Sequence, residues 1–226
     1  MTETFSALAL QEPGGRGRRV AYEWADCERA YIARRYDRMA GLIGLFDWLL
    51  FVPPKLRRLA AETLDLKAGD RVLEIGCGTG RVTRALANLF GEVHAVDVSG
   101  EMVELARKAL ADTPGAHVYR NNGADLAVIP VGGFDFAFSS IVFQHIPSRE
   151  IVENYVREVH RLLRPGALFK FQVQGDATLQ TSPDDTWLGA AFSDEEAVAM
   201  AQRCGFEPRY RHGAGGQYFW LWFFKK

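Results

Sequence analysis

The sequence predicts an α/β fold in which a mostly parallel sheet of seven strands lies between layers of helices. From Arg71 onward, short runs of apolar and β-branched residues alternate regularly with amphipathic segments of helical period. The last two apolar runs, Phe206–Tyr210 and Tyr218–Phe224, are joined by a glycine-rich link without a helix. Such a hairpin places one antiparallel C-terminal strand in the sheet. With 226 residues, 48% of them hydrophobic, the chain is long enough to bury the core of this fold.

The residues ahead of the alternation are expected to form separate parts of the chain. Residues 1–20 are rich in Gly and Arg, which is typical of a disordered tail. Residues 21–65 carry helical patterns and no strand, so we expect an N-terminal helical extension that acts as a lid. Residues 66–226 form the predicted α/β domain.

The α/β domain is predicted element by element from its apolar periodicity. The predicted strands are Arg71–Ile75, Glu92–Val96, His117–Arg120, Phe134–Ser139, Ala167–Gln174, Phe206–Tyr210 and Tyr218–Phe224. The predicted helices are Arg81–Leu89, Gly100–Ala111, Ser148–Leu163 and Ser193–Cys204. The last helix is expected to begin with a capping box of Ser193 and Glu196 and to end before Gly205.

The first strand ends in the most informative motif of the chain, Glu74–Gly80, which reads EIGCGTG. A dinucleotide-binding loop needs the spacing Gly-x-Gly-x-x-Gly. Here the third glycine comes one residue early, and Arg81 stands where the last glycine would be. Glu74 would repel a pyrophosphate and favour a cation. The motif therefore predicts a nucleoside ligand with a positively charged amino group rather than NAD.

At these residues the sequence resembles the class I S-adenosylmethionine-dependent methyltransferases, whose first motif has the form E/D-x-G-x-G-x-G. The resemblance covers about residues 66–226 and is weak before them. It implies a three-layer Rossmann-like sandwich, with S-adenosyl-L-methionine as methyl donor and S-adenosyl-L-homocysteine as product. In the loop it implies cofactor contacts by Glu74, Gly76, Cys77, Gly78, Thr79 and Gly80.

Asp97 ends the second strand, where a carboxylate can accept hydrogen bonds from both ribose hydroxyls. The alternative is that Asp97 caps the next helix, for which Ser99 is the other candidate. In the family, the residues after this acid flank the adenine, which here implies Val98 and Met102.

The third strand leads into a loop where the family commonly has an acid that accepts from the adenine amino group. This chain departs from that pattern. Asn122 falls near the usual position and can accept through its amide oxygen, while Asp125 is the alternative. The two remain open, and the backbone of Gly123 is expected to donate to the ring.

Polar residues follow the fourth strand, at the sheet edge where ligands of open α/β folds bind. Ser139 and Ser140 are expected beside the methionine part of the cofactor. Gln144 is expected to contact the substrate. His145 is the candidate catalytic residue, as a base or a substrate contact, against the alternative of a structural histidine.

The remaining candidates lie at the two ends of the chain. In the helical extension, Tyr36 is expected to bond the cofactor carboxylate and Tyr31 to contact the substrate. The alternative is that these aromatic side chains only pin the lid to the sheet. Late in the chain, His212 is expected at the rim of the substrate pocket.

The composition limits the classes of partner, the compartment and the metal sites that are expected for this protein. A net charge of −1 argues against a nucleic-acid binder. Three well-separated cysteines and no secretory leader indicate a reduced, cytoplasmic protein. No Cys-x-x-Cys motif or His-rich run occurs, so no metal site is expected. The apolar stretch 42–52 could touch a membrane surface, but a buried or lid helix is favoured.

Together these features predict a methyltransferase that acts on a small, apolar or aromatic acceptor. A lipid- or quinone-type acceptor is the alternative, as is a protein that binds S-adenosylmethionine without catalysis. An NAD(P)-dependent oxidoreductase is disfavoured by Arg81 and by the final hairpin.

Overall fold

A computed structural model describes residues 67, 69–179 and 188–226. The expected tail 1–20, the extension 21–65, and the candidates Tyr31 and Tyr36 lie outside the described residues. Within the described residues, none of the helices is long and apolar enough to cross a membrane.

The described residues form seven strands, four α-helices and two 3-10 helices. The strands are β1 (Arg71–Ile75), β2 (Glu92–Asp97), β3 (Ala116–Arg120), β4 (Phe134–Ser139), β5 (Leu163–Val173), β6 (Phe206–His212) and β7 (Phe219–Lys225). The α-helices are α1 (Arg81–Phe90), α2 (Gly100–Ala109), α3 (Arg149–Leu162) and α4 (Asp194–Arg203). The 3-10 helices are Phe143–His145 and Ala177–Leu179.

The seven strands form one sheet in the order β3-β2-β1-β4-β5-β7-β6. Strands β1 to β5 pair in parallel, whereas β7 is antiparallel to both of its neighbours, β5 and β6. The predicted mixed sheet with one antiparallel strand near the C-terminus is therefore confirmed.

The helices cover both faces of the sheet. Successive strand residues point to opposite faces, so neighbouring residues of one strand pack against different helices. On β1, Val72 packs in a cluster that includes Phe90 of α1, while Leu73 packs in the large cluster formed with α3 and α4. Ala95 of β2 packs with Ala106 of α2. The result is helices on either side of a central sheet, as expected.

The element boundaries agree with the predictions to within a few residues, with one correction. Strand β5 begins at Leu163 rather than at Ala167. Leu163 already pairs with Phe134 of β4, and the register then shifts before Leu168 pairs with Phe136. The intervening Pro165-Gly166 is thus an exposed irregularity inside the paired strand, not a turn before it.

Two features of the fold determine where a ligand can bind. The parallel strands β1, β2 and β4 end at the same edge of the sheet, where their loops meet. In addition, residues 121–133, which connect β3 to β4, contain no helix. The sequence predicted only a loop and a short turn there.

Candidate functional site

An open cleft with a cavity volume of about 190 Å³ lies beyond the carboxyl ends of β1, β2 and β4. Most of its wall is apolar, with one carboxylate, that of Asp97. The lining residues are Ile75, Gly76, Gly78, Val96, Asp97, Val98, Met102, Asn121, Gly123, Ile141, Val142, His145, Ile146 and Tyr155.

The glycine loop forms the β1 side of the cleft, and two of its glycines have distinct roles. Gly76 has φ +78°, and a Cβ there would lie 2.0 Å from Cγ2 of Val142. Gly78 has φ +53°, and a Cβ there would have no heavy atom within 4 Å. The loop therefore packs tightly against Val142 at its first glycine and leaves its second glycine open to the cleft.

Hydrogen bonds that the loop amides donate to β2 hold the loop in this conformation. The amides of Gly76 and Cys77 both donate to the carbonyl of Val96, at 2.8 and 3.0 Å. The amide of Gly78 donates to Oδ2 of Asp97 at 2.9 Å. Because β1 and β2 are also adjacent strands, the glycine loop and Asp97 form one rigid unit.

Asp97 lies in the cleft, and helix capping does not account for it. Its Oδ1 accepts from the amide of Ser99 at 2.9 Å. Ser99 itself is the N-cap of α2, because its hydroxyl accepts from the amide of Met102 at 3.1 Å. The Asp97 carboxylate thus lies at the mouth of the loop and lines the cleft.

Glu74 does not line the cleft. Its side chain is 3% exposed and accepts a hydrogen bond of 2.6 Å from the hydroxyl of Thr83 in α1. Burial raises the pKa of Glu74 to about 7, with the nearby charge of Asp97 adding to the effect and the Thr83 hydrogen bond opposing it. Its side chain therefore ties β1 to α1 beneath the loop.

The other predicted loop residues support the turn rather than the cleft wall. Cys77 is buried with Ala95, Ala106 and Leu110, and this burial strongly raises the pKa of its thiol. A neutral, enclosed thiol is no nucleophile. Thr79 and Gly80 also fall outside the lining; Gly80 is the N-cap of α1.

On the β2 and β3 side, the cleft is lined by Val98, Met102 and Gly123, the residues for which the resemblance implies contact with the adenine. The side chains of Asn122 and Asp125 are not part of this lining. Asn122 Oδ1 accepts from the Asp125 amide at 3.0 Å, and Asn122 Nδ2 donates to Asp125 Oδ2 at 2.7 Å. Each residue thus satisfies the other within an exposed turn.

Asn121, which was not predicted from the sequence as a site residue, lines the cleft instead. Its amide donates to the carbonyl of Asp97 at 3.0 Å, continuing the pairing of β2 with β3. Its side-chain Nδ2 donates to the hydroxyl of Tyr155 in α3 at 2.7 Å. The strand register would have indicated it, because Asp97 pairs with Arg120 and Asn121 is the next residue.

The β4 end supplies His145 and a set of apolar residues. His145 is 6% exposed and lines the cleft from the 3-10 helix that follows β4. Ile141, with φ +58°, and Val142 form the wall between it and the glycine loop. A non-glycine residue with a positive φ is uncommon and is often found at functional sites.

Four other predicted residues lie outside the cleft lining. The hydroxyl of Ser139 donates to the carbonyl of Ile75 at 2.9 Å inside the sheet, and Ser140 is not in the cleft lining. Gln144 is buried beside His145, with its Nε2 at 3.2 Å from Nε2 of that ring. His212 is exposed at the end of β6, away from the cleft lining.

Comparisons with known proteins find a matching family model and related sequences. Residues 72–166 match the family model of a methyltransferase domain. A ubiquinone biosynthesis O-methyltransferase of Xanthomonas oryzae pv. oryzae is 35% identical over 115 residues, which are 50% of this chain and 46% of that protein. The chain thus spans just under half the length of the curated relatives it matches.

Solved structures show the same fold. An S-adenosylmethionine-dependent methyltransferase from Clostridium acetobutylicum aligns with a TM-score of 0.67 at 15% identity, over 82% of this chain and 98% of that one. DhpI, solved in complex with SAH, aligns with a TM-score of 0.59 at 22% identity, over 84% and 93%.

Proposed function

We propose that this chain, a class I S-adenosylmethionine-dependent methyltransferase with a Rossmann-like fold, transfers a methyl group to a small, apolar or aromatic acceptor. The observation that carries the proposal is the joining of Asp97 to the open glycine of the loop. The 2.9 Å bond from the Gly78 amide sets a carboxylate beside bare backbone, at the carboxyl edge of a parallel sheet.

Asp97 is assigned to the ribose. A pair of neighbouring hydroxyls needs two acceptor atoms, and a carboxylate offers both oxygens in one plane. The backbone amides of Gly78 and Ser99 each donate to one Asp97 oxygen, which fixes the direction of the carboxylate beside the glycine loop. Hydrogen bonds to a charged group contribute about 1.5–3 kcal/mol.

The neighbouring walls suit the other parts of a nucleoside. Val98 and Met102 offer apolar contact to an adenine, and Gly123 lets the ring approach the backbone. Asn121 is the polar side chain on that side, so we assign it the place for which Asn122 and Asp125 were candidates. Tyr36 and Tyr31 remain proposed contacts of the methionine part and of the acceptor.

When bound, S-adenosylmethionine supplies an electrophilic methyl group whose leaving group is a neutral thioether. The protein has no leaving group to protonate, so its task is to orient the acceptor and exclude water. Ile141 and Val142 line the cleft between the loop and His145 with apolar side chains. His145 is the residue we assign to the acceptor, as an orienting contact, with Gln144 behind it.

Calorimetric titration with S-adenosylmethionine and S-adenosylhomocysteine, with NADH as a control, tests the proposal first. Asp97→Ala should weaken S-adenosylhomocysteine at least about tenfold, whereas Asp112→Ala, which removes an exposed carboxylate of a surface ion pair, should not. A 2′-deoxyribose analogue separates ribose contact from loop support. If Asp97→Ala weakens the analogue as much as the natural ligand, the ribose assignment fails.

O-methylation of a quinone-type acceptor is the second candidate. It is favoured by the 35% identity to the ubiquinone biosynthesis O-methyltransferase, a match that covers 46% of that protein. A screen of phenols, catechols and prenylated quinols, read out by S-adenosylhomocysteine formation, compares the two. Ligand binding without turnover of any acceptor would favour a non-catalytic S-adenosylmethionine-binding protein.

A further inference from the structure

A second group of chemically active side chains lies toward the amino ends of β2 and β3, whereas the cleft lies beyond the carboxyl ends of the strands. Glu92 and His94 are two residues apart on β2, so both point to the same face. His117 of β3 is paired with His94 in the parallel register. One ligand atom of each of the three residues lies within 4.8 Å of the others.

The three side chains are of the kind that bind transition metals. Two imidazoles and a carboxylate are a common ligand set for zinc with an open fourth position.

Neighbouring residues orient these ligands as an outer shell does at a metal site. The Tyr119 hydroxyl lies 3.0 Å from Nδ1 of His94, while Nε2 of the same ring faces Glu92 Oε1 at 2.7 Å. In the hydrogen bond to the Glu92 carboxylate the ring proton lies on Nε2, so metal binding at Nε2 requires this proton to move to Nδ1, where the Tyr119 oxygen can accept it. Arg71 donates to both oxygens of Glu92, from Nε to Oε2 at 3.2 Å and from Nη2 to Oε1 at 3.3 Å, so a metal at Oε1 replaces the longer of the two bonds.

We propose that Glu92, His94 and His117 bind a divalent first-row transition-metal ion, with zinc as the representative. A tetrahedral zinc site needs ligand atoms about 3.4 Å apart. His117 is exposed, so its ring can rotate to close the remaining gap, whereas His94 is 4% exposed and fixed between Tyr119 and Phe134. The positive charge of Arg71 opposes the ion, which favours affinity in the micromolar range over that of a closed structural site.

The proposed ion would connect β3, the edge strand, to β2. The described residues of the connection from β3 to β4 form no helix over that edge strand. Metal binding to the folded chain alone raises its stability by mass action. At a hundredfold excess over the dissociation constant, we expect the melting temperature to rise by roughly 5–10 °C.

The experiment uses the full chain treated with chelator and then titrated with Zn²⁺, and separately with Co²⁺ to record the visible bands of tetrahedral coordination. Wild type should bind one ion. His117→Ala and Glu92→Gln should each raise the dissociation constant at least about tenfold and abolish the thermal shift. His212→Ala, which removes an exposed histidine from β6, should bind as wild type does.

Three results would overturn the proposal. They are the absence of saturable one-to-one binding by wild type, equal binding by His117→Ala, and equal loss in His212→Ala. The two cluster variants should melt like wild type in chelator, because His117 is exposed and Glu92 is only partly buried. Loss of metal binding is therefore separable from loss of folding. Titration of S-adenosylhomocysteine to the same samples reports on the cleft independently.

Discussion

Replacing Gly78 by alanine tests whether the open glycine of the loop is where a nucleoside approaches the backbone. Gly78 has φ +53°, and a Cβ there has no heavy atom within 4 Å. The substitution therefore costs only the left-handed backbone penalty, about 1–2 kcal/mol, which lowers the melting temperature by roughly 2–8 °C. Because Gly78 lines the cleft, the same Cβ should reduce affinity for S-adenosylhomocysteine at least about tenfold, or 1.4 kcal/mol.

Gly166→Ala is the matched control for this variant. Gly166 has φ +79° and also has no heavy atom within 4 Å of a built Cβ, but it is exposed near the start of β5, away from the cleft lining. Thermal unfolding should show similar losses for the two variants, and calorimetry should show weaker binding for Gly78→Ala alone. Wild-type affinity in Gly78→Ala would refute the assignment of the loop to the ligand.

Three further predictions concern Gly76, Glu74 and Asn121, and each is tested by a substitution. Gly76→Ala should lower the free energy of unfolding in urea by roughly 2–5 kcal/mol, since it adds a 2.0 Å clash with Val142 to the backbone penalty, and Val142→Ala in the same chain should recover only the steric part. Glu74, with its pKa raised to about 7, holds a proton in the folded state that the unfolded chain releases near pH 4.5. The contribution of Glu74 to the free energy of unfolding is thus fully present below about pH 4.5. It is lost as the pH rises through 7, and the loss amounts to about 3 kcal/mol. Between these pH values, the free energy of unfolding of wild type should fall by that amount relative to the free energy of unfolding of Glu74→Gln. A difference between the two proteins that does not change with pH would contradict the raised pKa of Glu74. Asn121→Ala should weaken S-adenosylhomocysteine roughly fivefold and Asn122→Ala should not, as measured by calorimetry; the reverse result would return the adenine contact to Asn122.

The fold could be predicted because its determinants are local and periodic. Apolar runs and helix caps marked most boundaries to within a few residues, and the capping box of Ser193 and Glu196 is present as predicted. The start of β5 was missed because Pro165-Gly166 usually ends pairing. Here the pairing of Leu163 with Phe134 lies ahead of the irregularity, and only the partner strand reveals it.

The site could be predicted only where the backbone determines it. The glycine spacing and the strand-ending Asp97 identified the part of the cleft that the fold creates directly. Asn121 depends on the register of β3 against β2, and Tyr155 belongs to α3, where an apolar pattern indicates only core. The same limit applied to His94 and His117, which are distant in sequence and meet only through strand pairing.

The hydrogen bonds behind His145 lead to a final prediction about proton transfer. The Ile141 amide donates to Gln172 Oε1 at 3.3 Å, Gln172 Nε2 donates to Gln144 Oε1, and Gln144 Nε2 lies 3.2 Å from His145 Nε2 as its donor. In this arrangement the basic nitrogen of His145 is engaged inside the protein and its proton is on Nδ1. His145 then orients an acceptor without deprotonating it, so a phenol must arrive ionised. For a series of phenols, kcat/KM should rise with pH through the pKa of each phenol. Gln144→Leu should remove the donor to the ring nitrogen and add a second inflection whose pH is the same for every phenol. Such a phenol-independent inflection in wild type would instead make His145 the general base.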